Sequence, residues 1–110
     1  MKVGFSLGFQ KNKKKLSKKN PEISSILDEF FCELQKECPK QVSIKMSGVG
    51  GRLIYHHRLG INQKGKRGGL RVIYGCKNEK ILGLGVFAKA HKEKLSWEDV
   101  KNLIKDFDDS

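Results

Sequence analysis

The sequence predicts a small α+β domain in which helices pack on one face of a mostly antiparallel sheet, and three observations lead there. Apolar residues alternate at period two over residues 2–9, 52–60 and 70–76. They recur at helical spacing over 21–37 and 97–107. Together with a charged segment at 10–19, these stretches give the order β-α-α-β-β-β-α. At 110 residues, with no internal repeat and no low-complexity linker, the chain reads as one domain over residues 1–110 with one modest core.

The first strand is residues 2–9, where Val3, Phe5, Leu7 and Phe9 alternate with Lys2, Gly4, Ser6 and Gly8. Residues 10–19 hold six lysines and a single apolar anchor, Leu16, and form either a short charged helix or an extended basic arm. Asn20-Pro21 starts the next helix, with Asn20 as N-cap and Pro21 at the first helical position, where a missing N–H costs nothing. Ile23, Ile26, Leu27, Phe30, Phe31 and Leu34 then form the face that packs on the sheet, and Glu22, Asp28, Glu29, Glu33 and Lys36 take the other. This helix runs to about Glu37, and Pro39 stops it.

SGVGG at 47–51 leads flexibly into the strand 52–60, in which Leu53, Tyr55, His57 and Leu59 alternate with Ile54, His56 and Arg58. After INQKGKRGG, the strand 70–76 sets Leu70, Val72, Tyr74 and Cys76 against Arg71 and Ile73. A turn at 77–80 feeds ILGLGVFAK, an apolar run suited to a central strand buried on both faces. Ser96 and Asp99 form a capping box, and Trp97, Val100, Leu103, Ile104 and Phe107 lie on one stripe of a docked helix, 97–107. Asp106, Asp108 and Asp109 oppose the helix macrodipole, which predicts a frayed or solvated tail. With all helices on one face, the other face of the sheet is left open for a ligand.

Charge narrows the class of partner. The chain carries 23 Lys+Arg against 12 Asp+Glu, a net charge of +11 and a pI near 9.7. Such self-repulsion is relieved by a polyanion, with nucleic acid the leading class and an anionic membrane surface the second. No apolar run approaches the roughly 20 residues of a spanning helix, and no signal-peptide core opens the chain, so it reads as soluble and cytoplasmic. The three cysteines form no C-x-x-C pair, and Cys32 and Cys38 on one helix would stand roughly 9 Å apart, too far for a disulfide. Reduced thiols fit best. His56, His57 and His91 have no metal-ligand spacing relative to the cysteines, so neither a metal nor a cofactor is expected.

KGKRGGLRVIYG, residues 64–75, places four cations and four glycines around a β-branched, aromatic run. With GVGG at 48–51 and VFAKAHKEKLSWEDVKNL at 86–103, it resembles the HigB/RelE-type toxins of bacterial toxin–antitoxin systems. Similar members of that family read approximately G-T-G-G, then G-K-R-G-G-x-R-V-I-Y, then Y-A-K-x-x-K-x-x-L-S. The resemblance implies a small α+β ribonuclease that occupies the ribosomal A site and cuts mRNA without a metal. It also implies a cognate antitoxin, often of helix-turn-helix type. The alternatives are a gyrase-poisoning toxin of the ParE branch on the same fold and a non-catalytic RNA-binding module, for which the net charge alone would suffice.

Metal-free RNA cleavage by the 2′-OH needs a proton acceptor, stabilisation of the extra phosphorane charge and a proton donor for the leaving 5′-oxygen. The resemblance assigns charge stabilisation to Arg71, whose planar fork suits a phosphate. It assigns Lys89, at the end of the last strand, either charge stabilisation or proton transfer. Lys92 matches the next lysine of that block. In the strand 52–60 the chain departs from its relatives, which carry an R-K-x-R-like run where RLIYHHR stands here. Arg58 then takes the family's last arginine and His56 a position where lysine is usual; an intrinsic pKa near 6.5 would make His56 the better acid or base. The alternation puts His56 and Arg58 on one face and Tyr55 and His57 on the other, so only one histidine should reach substrate; the ordinary alternative is a surface histidine beside a hydrogen-bonded core histidine. Lys64, Lys66 and Arg67 sit in a loop without acids, where Gly68 and Gly69 admit a close-lying RNA backbone. Tyr74 reads as core.

Overall fold

Among the described residues of a computed structural model, 2–38, 43–60, 69–88 and 95–110, the chain runs β1 (Lys2–Phe5), α1 (Leu7–Lys19), α2 (Glu22–Leu34), β2 (Ile44–Lys45), β3 (Ile54–Leu59), β4 (Leu70–Lys77), β5 (Lys80–Ala88) and α3 (Trp97–Asp108). The strands form one sheet in the order β1-β5-β4-β3-β2. Every neighbouring pair is antiparallel except β1 with β5. The α+β class expected from the sequence is the class observed.

The first strand is shorter than its alternation suggested. At Ser6 the chain leaves the sheet: the Ser6 N–H still donates to the Gly83 carbonyl at 2.9 Å, but its hydroxyl accepts from the Phe9 N–H at 3.0 Å and donates to the Leu84 carbonyl at 3.1 Å. A serine N-cap therefore opens α1 at Leu7. Over so few residues, period two does not exclude a helical turn: Leu7 is exposed, and Phe9 packs into the core together with Leu16, two turns on. The lysine-rich segment is helical, not an extended arm.

The start of α2 follows the sequence. Asn20 is extended, its Oδ1 accepts from the Glu22 N–H at 3.1 Å, and Pro21 already has helical dihedrals. The helix ends at Leu34, short of Glu37, because the chain tightens into a turn through a Lys36 N–H to Glu33 carbonyl bond of 3.0 Å. Pro39 lies outside the described residues.

Two cores sandwich the sheet. Phe9 of α1 and Ile23, Leu27, Phe30, Phe31 and Leu34 of α2 cover Leu70, Val72, Tyr74, Ile81 and Val86. On the opposite face, Leu103 and Phe107 of α3 cover Ile54, Ile73, Leu82, Leu84 and Val49. The expectation of helices on one face is thus corrected: α3 lies on the other and leaves only part of it open. The cause is β5, whose run is apolar on both faces and needs a layer on each. A register shift at Ile73/Tyr74, where Ile73 pairs with Gly85 and Tyr74 with Gly83, inserts Leu84 as an extra residue facing α3.

The C-terminal tail is also held, not frayed. Arg52 Nε and Nη2 donate to the two carboxylate oxygens of Asp108 at 2.8 and 2.7 Å, and Lys77 Nζ donates to the carbonyls of Phe107 and Asp108, both at 3.0 Å. These cations meet the negative end of α3, and the hydrogen bonds from Arg52 hold the Asp108 carboxyl below the usual carboxylate range. The 77–80 turn is present, with Asn78 and Glu79 at φ 52° and 59°, the left-handed pair of a two-residue hairpin.

Gly75 of β4 lies beneath the Phe107 ring: a Cβ there would stand 2.7 and 2.8 Å from two ring carbons and 3.4 Å from the Leu53 carbonyl oxygen. Replacing Gly75 with Ala should therefore overpack the second core and cost about 1–3 kcal/mol. Thermal unfolding of the variant should show a midpoint several degrees lower; an unchanged midpoint would mean that α3 is not seated on β4 as described.

Candidate functional site

The site follows from strand periodicity. Tyr55, His57 and Leu59 of β3 and Leu70, Val72 and Tyr74 of β4 belong to the α1/α2 core, so His56, Arg58 and Arg71 must stand on the opposite face. In the observed register Arg58 pairs with Arg71 and His56 with Ile73. Directly opposed residues have Cβ atoms about 5 Å apart and diagonal neighbours about 7–8 Å, so His56 is within side-chain reach of Arg71.

These three residues floor a cleft of about 620 Å³ on the α3 side. One wall is β2 and the chain after it, Ile44, Lys45, Met46 and Ser47; the other is Leu95 and Val100 at the start of α3. None of the described residues that line it is acidic. Like charges directly opposed across a sheet disfavour folding, and with no carboxylate among the described lining residues Arg58 and Arg71 give the floor a positive field that an anion would satisfy. Their forks match phosphate oxygens.

The cleft also sets the protonation of His56. Partial burial, then the positive charges of Arg71 and Arg58, hold its pKa below 6.5, so the imidazole is neutral at pH 7 and available to accept a proton.

His57 does not reach this cleft. It is buried on the other face, where Nδ1 shares a 2.8 Å hydrogen bond with Ser43 Oγ, Ser43 accepts from the Tyr74 hydroxyl, and the ring lies 4.7 Å from that of Phe30. It is the hydrogen-bonded core member of the histidine pair, and Tyr74 is core as expected. Lys64, Lys66, Arg67, Lys89, His91 and Lys92 lie outside the described residues. The strands adjoining them are described: Leu59, Leu70 and Ala88 stand in register at the end of the sheet that carries Arg58 and Arg71.

Two features of the site were not expected. β2 supplies a wall although it is two residues long, too short for any periodic signal. Trp97, placed by its spacing on the docked stripe of α3, is 65% exposed. The second core reaches Val100, Leu103, Ile104 and Phe107, and Trp97 lies one turn beyond its end. Because positions three apart share a helix face, Trp97 stands one turn before Val100, which lines the cleft, on the same side of α3.

Among the described residues no three His, Cys, Asp or Glu side chains converge as metal ligands, and no helix is long and apolar enough to cross a membrane. No protein-family model matches the chain, and no curated protein matches it.

The depressed pKa of His56 has a measurable sign. Its imidazole should titrate below 6.5 by NMR, and Arg71→Ala or Arg58→Ala should each move it part of the way back up, the remainder being set by burial. Because the folded value lies below the unfolded one, His56 costs stability as pH falls through 6.5 and costs nothing above it. An unshifted titration in the wild-type protein would place His56 outside the cationic cleft.

Proposed function

We propose that the protein is the toxin of a type II toxin–antitoxin system, an endoribonuclease that cuts mRNA in the ribosomal A site without a metal. The observation that supports this most directly is the grouping of Arg58, Arg71 and a neutral His56 on one sheet face, with no carboxylate among the described lining residues. Those are the groups needed when a 2′-OH attacks the adjacent phosphate.

In this reading Arg58 and Arg71 hold the non-bridging oxygens and stabilise the phosphorane as it becomes more anionic. His56 Nε2 or Nδ1 takes the proton of the attacking 2′-OH. The leaving 5′-oxygen is protonated by Lys89, which follows the last paired residue of β5, Ala88, by one position. Lys64, Lys66, Arg67 and Lys92 grip the RNA backbone, and the exposed face of Trp97 stacks a base beside the cleft. An RNA substrate engaged on ribosomes places the protein in the cytoplasm. A helix-turn-helix antitoxin covering the cationic face would silence it.

The test is cleavage of a reporter mRNA on translating ribosomes, with the 5′ ends mapped. Arg71→Ala should lower the cleavage rate by about 10²–10³, the usual loss when one charge-stabilising donor is removed. The rate should rise with pH as His56 loses its proton, with the midpoint of the rise below 6.5. Folded wild-type protein that leaves the mRNA whole would overturn the proposal; RNA binding without cleavage would favour a non-catalytic module, and poisoning of gyrase the ParE-like alternative.

Stacking has its own reporter, because Trp97 is the sole tryptophan. Titration with single-stranded RNA should quench its fluorescence, and an abasic strand of equal charge should not. Equal quenching by both strands would remove Trp97 from the interface.

A further inference from the structure

The cysteines hold an arrangement that the cleft does not use. Cys38, in the turn after α2, and Cys76, near the end of β4, face each other over 38 positions of sequence with their sulfurs 2.7 Å apart. Both thiols are free and half-buried, packed against the α1/α2 core. A closing of less than about 1 Å would bring the sulfurs to the bond length of a disulfide, about 2.05 Å. Cys32 is exposed on α2 and takes no part in the pair.

We propose that Cys38 and Cys76 form a reversible intrachain disulfide, made by exchange with a low-molecular-weight disulfide such as oxidised glutathione. In the first step the Cys38 thiolate attacks one sulfur of that disulfide, giving a mixed disulfide on Cys38 and expelling one small thiolate. In the second, Cys76 loses its proton and attacks Cys38 Sγ, expelling the other small thiolate. The protein gives up two protons and two electrons, and the small disulfide is reduced to two thiols.

The order of attack follows from the environment of the two groups. Burial, together with the hydrogen bond and charge of Cys38, pushes the Cys76 thiol up to about 12, so it is a poor first nucleophile at neutral pH. Once Cys38 is in a mixed disulfide, its contribution to that elevation is gone, and Cys76 is already beside the sulfur it must attack. The bridge would close a loop containing β2, β3 and most of β4, the strands that floor and wall the cleft, and would restrict the unfolded chain most at that part of the fold. The inference does not depend on the ribonuclease reading.

The experiment uses full-length protein carrying Cys32→Ser, so that the exposed thiol does not react. After incubation with excess oxidised glutathione, the expected result is a mass lower by two hydrogens, loss of both free thiols and a Cys38–Cys76 linked peptide on digestion. The unfolding midpoint should rise by about 10 °C, and dithiothreitol should reverse every change. Adding Cys76→Ser should arrest the reaction at the mixed disulfide on Cys38. Two thiols that persist in the Cys32→Ser protein, or a mixed disulfide on Cys38 that accumulates with Cys76 intact, would overturn the proposal.

Discussion

The register of β4 carries two sets of side chains that must not exchange faces. Leu70, Val72 and Tyr74 are buried under α1 and α2, and the alternate residues Arg71, Ile73 and Gly75 point to α3. A slip by one position would put the Arg71 guanidinium into the first core and move three large apolar side chains out of it. Burying an unpaired charge is far costlier than any single gain in packing. The hydrophobic effect on one face therefore fixes where the cations stand on the other, and the same reasoning on β3 separates the buried His57 from His56 in the cleft. The position of the site is set by the fold, not by attractions within the site.

Those internal interactions are in fact unfavourable. Arg58 opposes Arg71 directly, and Lys45 adds a third cation to the lining. The excess is not confined to the cleft: on α1, Lys11 and Lys15, and Lys14 and Lys18, stand one turn apart as like-charge pairs, each costing roughly 0.2–0.5 kcal/mol. Lys13 reaches Asp28 of α2 at 2.8 Å, but an ion pair at the surface returns little. A chain that keeps a net charge of +11 under these conditions stabilises its fold through two apolar cores and not through its charges.

Periodicity made much of this legible. The apolar stripes of α2 and α3 and the alternation of β3 and β4 are written in residues that recur at the element's own period, as is the shared face of His56 and Arg58, while β5 is legible as a continuous apolar run and the hairpin at 77–80 as a turn between strands. The layer of α3 is misread from the sequence, on the same face as α1 and α2, although a strand apolar on both faces needs a layer on each. Other features left no local trace. Ser6 starts a helix inside an alternating run because its hydroxyl finds both the Phe9 N–H and the Leu84 carbonyl, and the second of these is a contact over 78 positions. β2 exists only through its pairing with β3, and the tail of α3 is held by Arg52 and Lys77, residues far off in sequence. The nearness of Cys38 and Cys76 is likewise a product of tertiary packing that spacing does not encode.

The helix that closes the second core also forms one wall of the cleft, and its two ends have different tasks. At the C-terminal end, Phe107 sits on Gly75, where no side chain would fit, while Arg52 and Lys77 bind the last turn. Leu103 packs near the bulged Leu84 in the middle. At the N-terminal end, the capping box of Ser96 and Asp99 satisfies two backbone N–H groups of the first turn, with bonds of 3.0 and 3.1 Å. Val100 can then line the cleft and Trp97, one turn before it, can stand exposed without loss of helix. The wall beside the two arginines is thus anchored at one end by packing on the sheet and capped at the other by its own side chains.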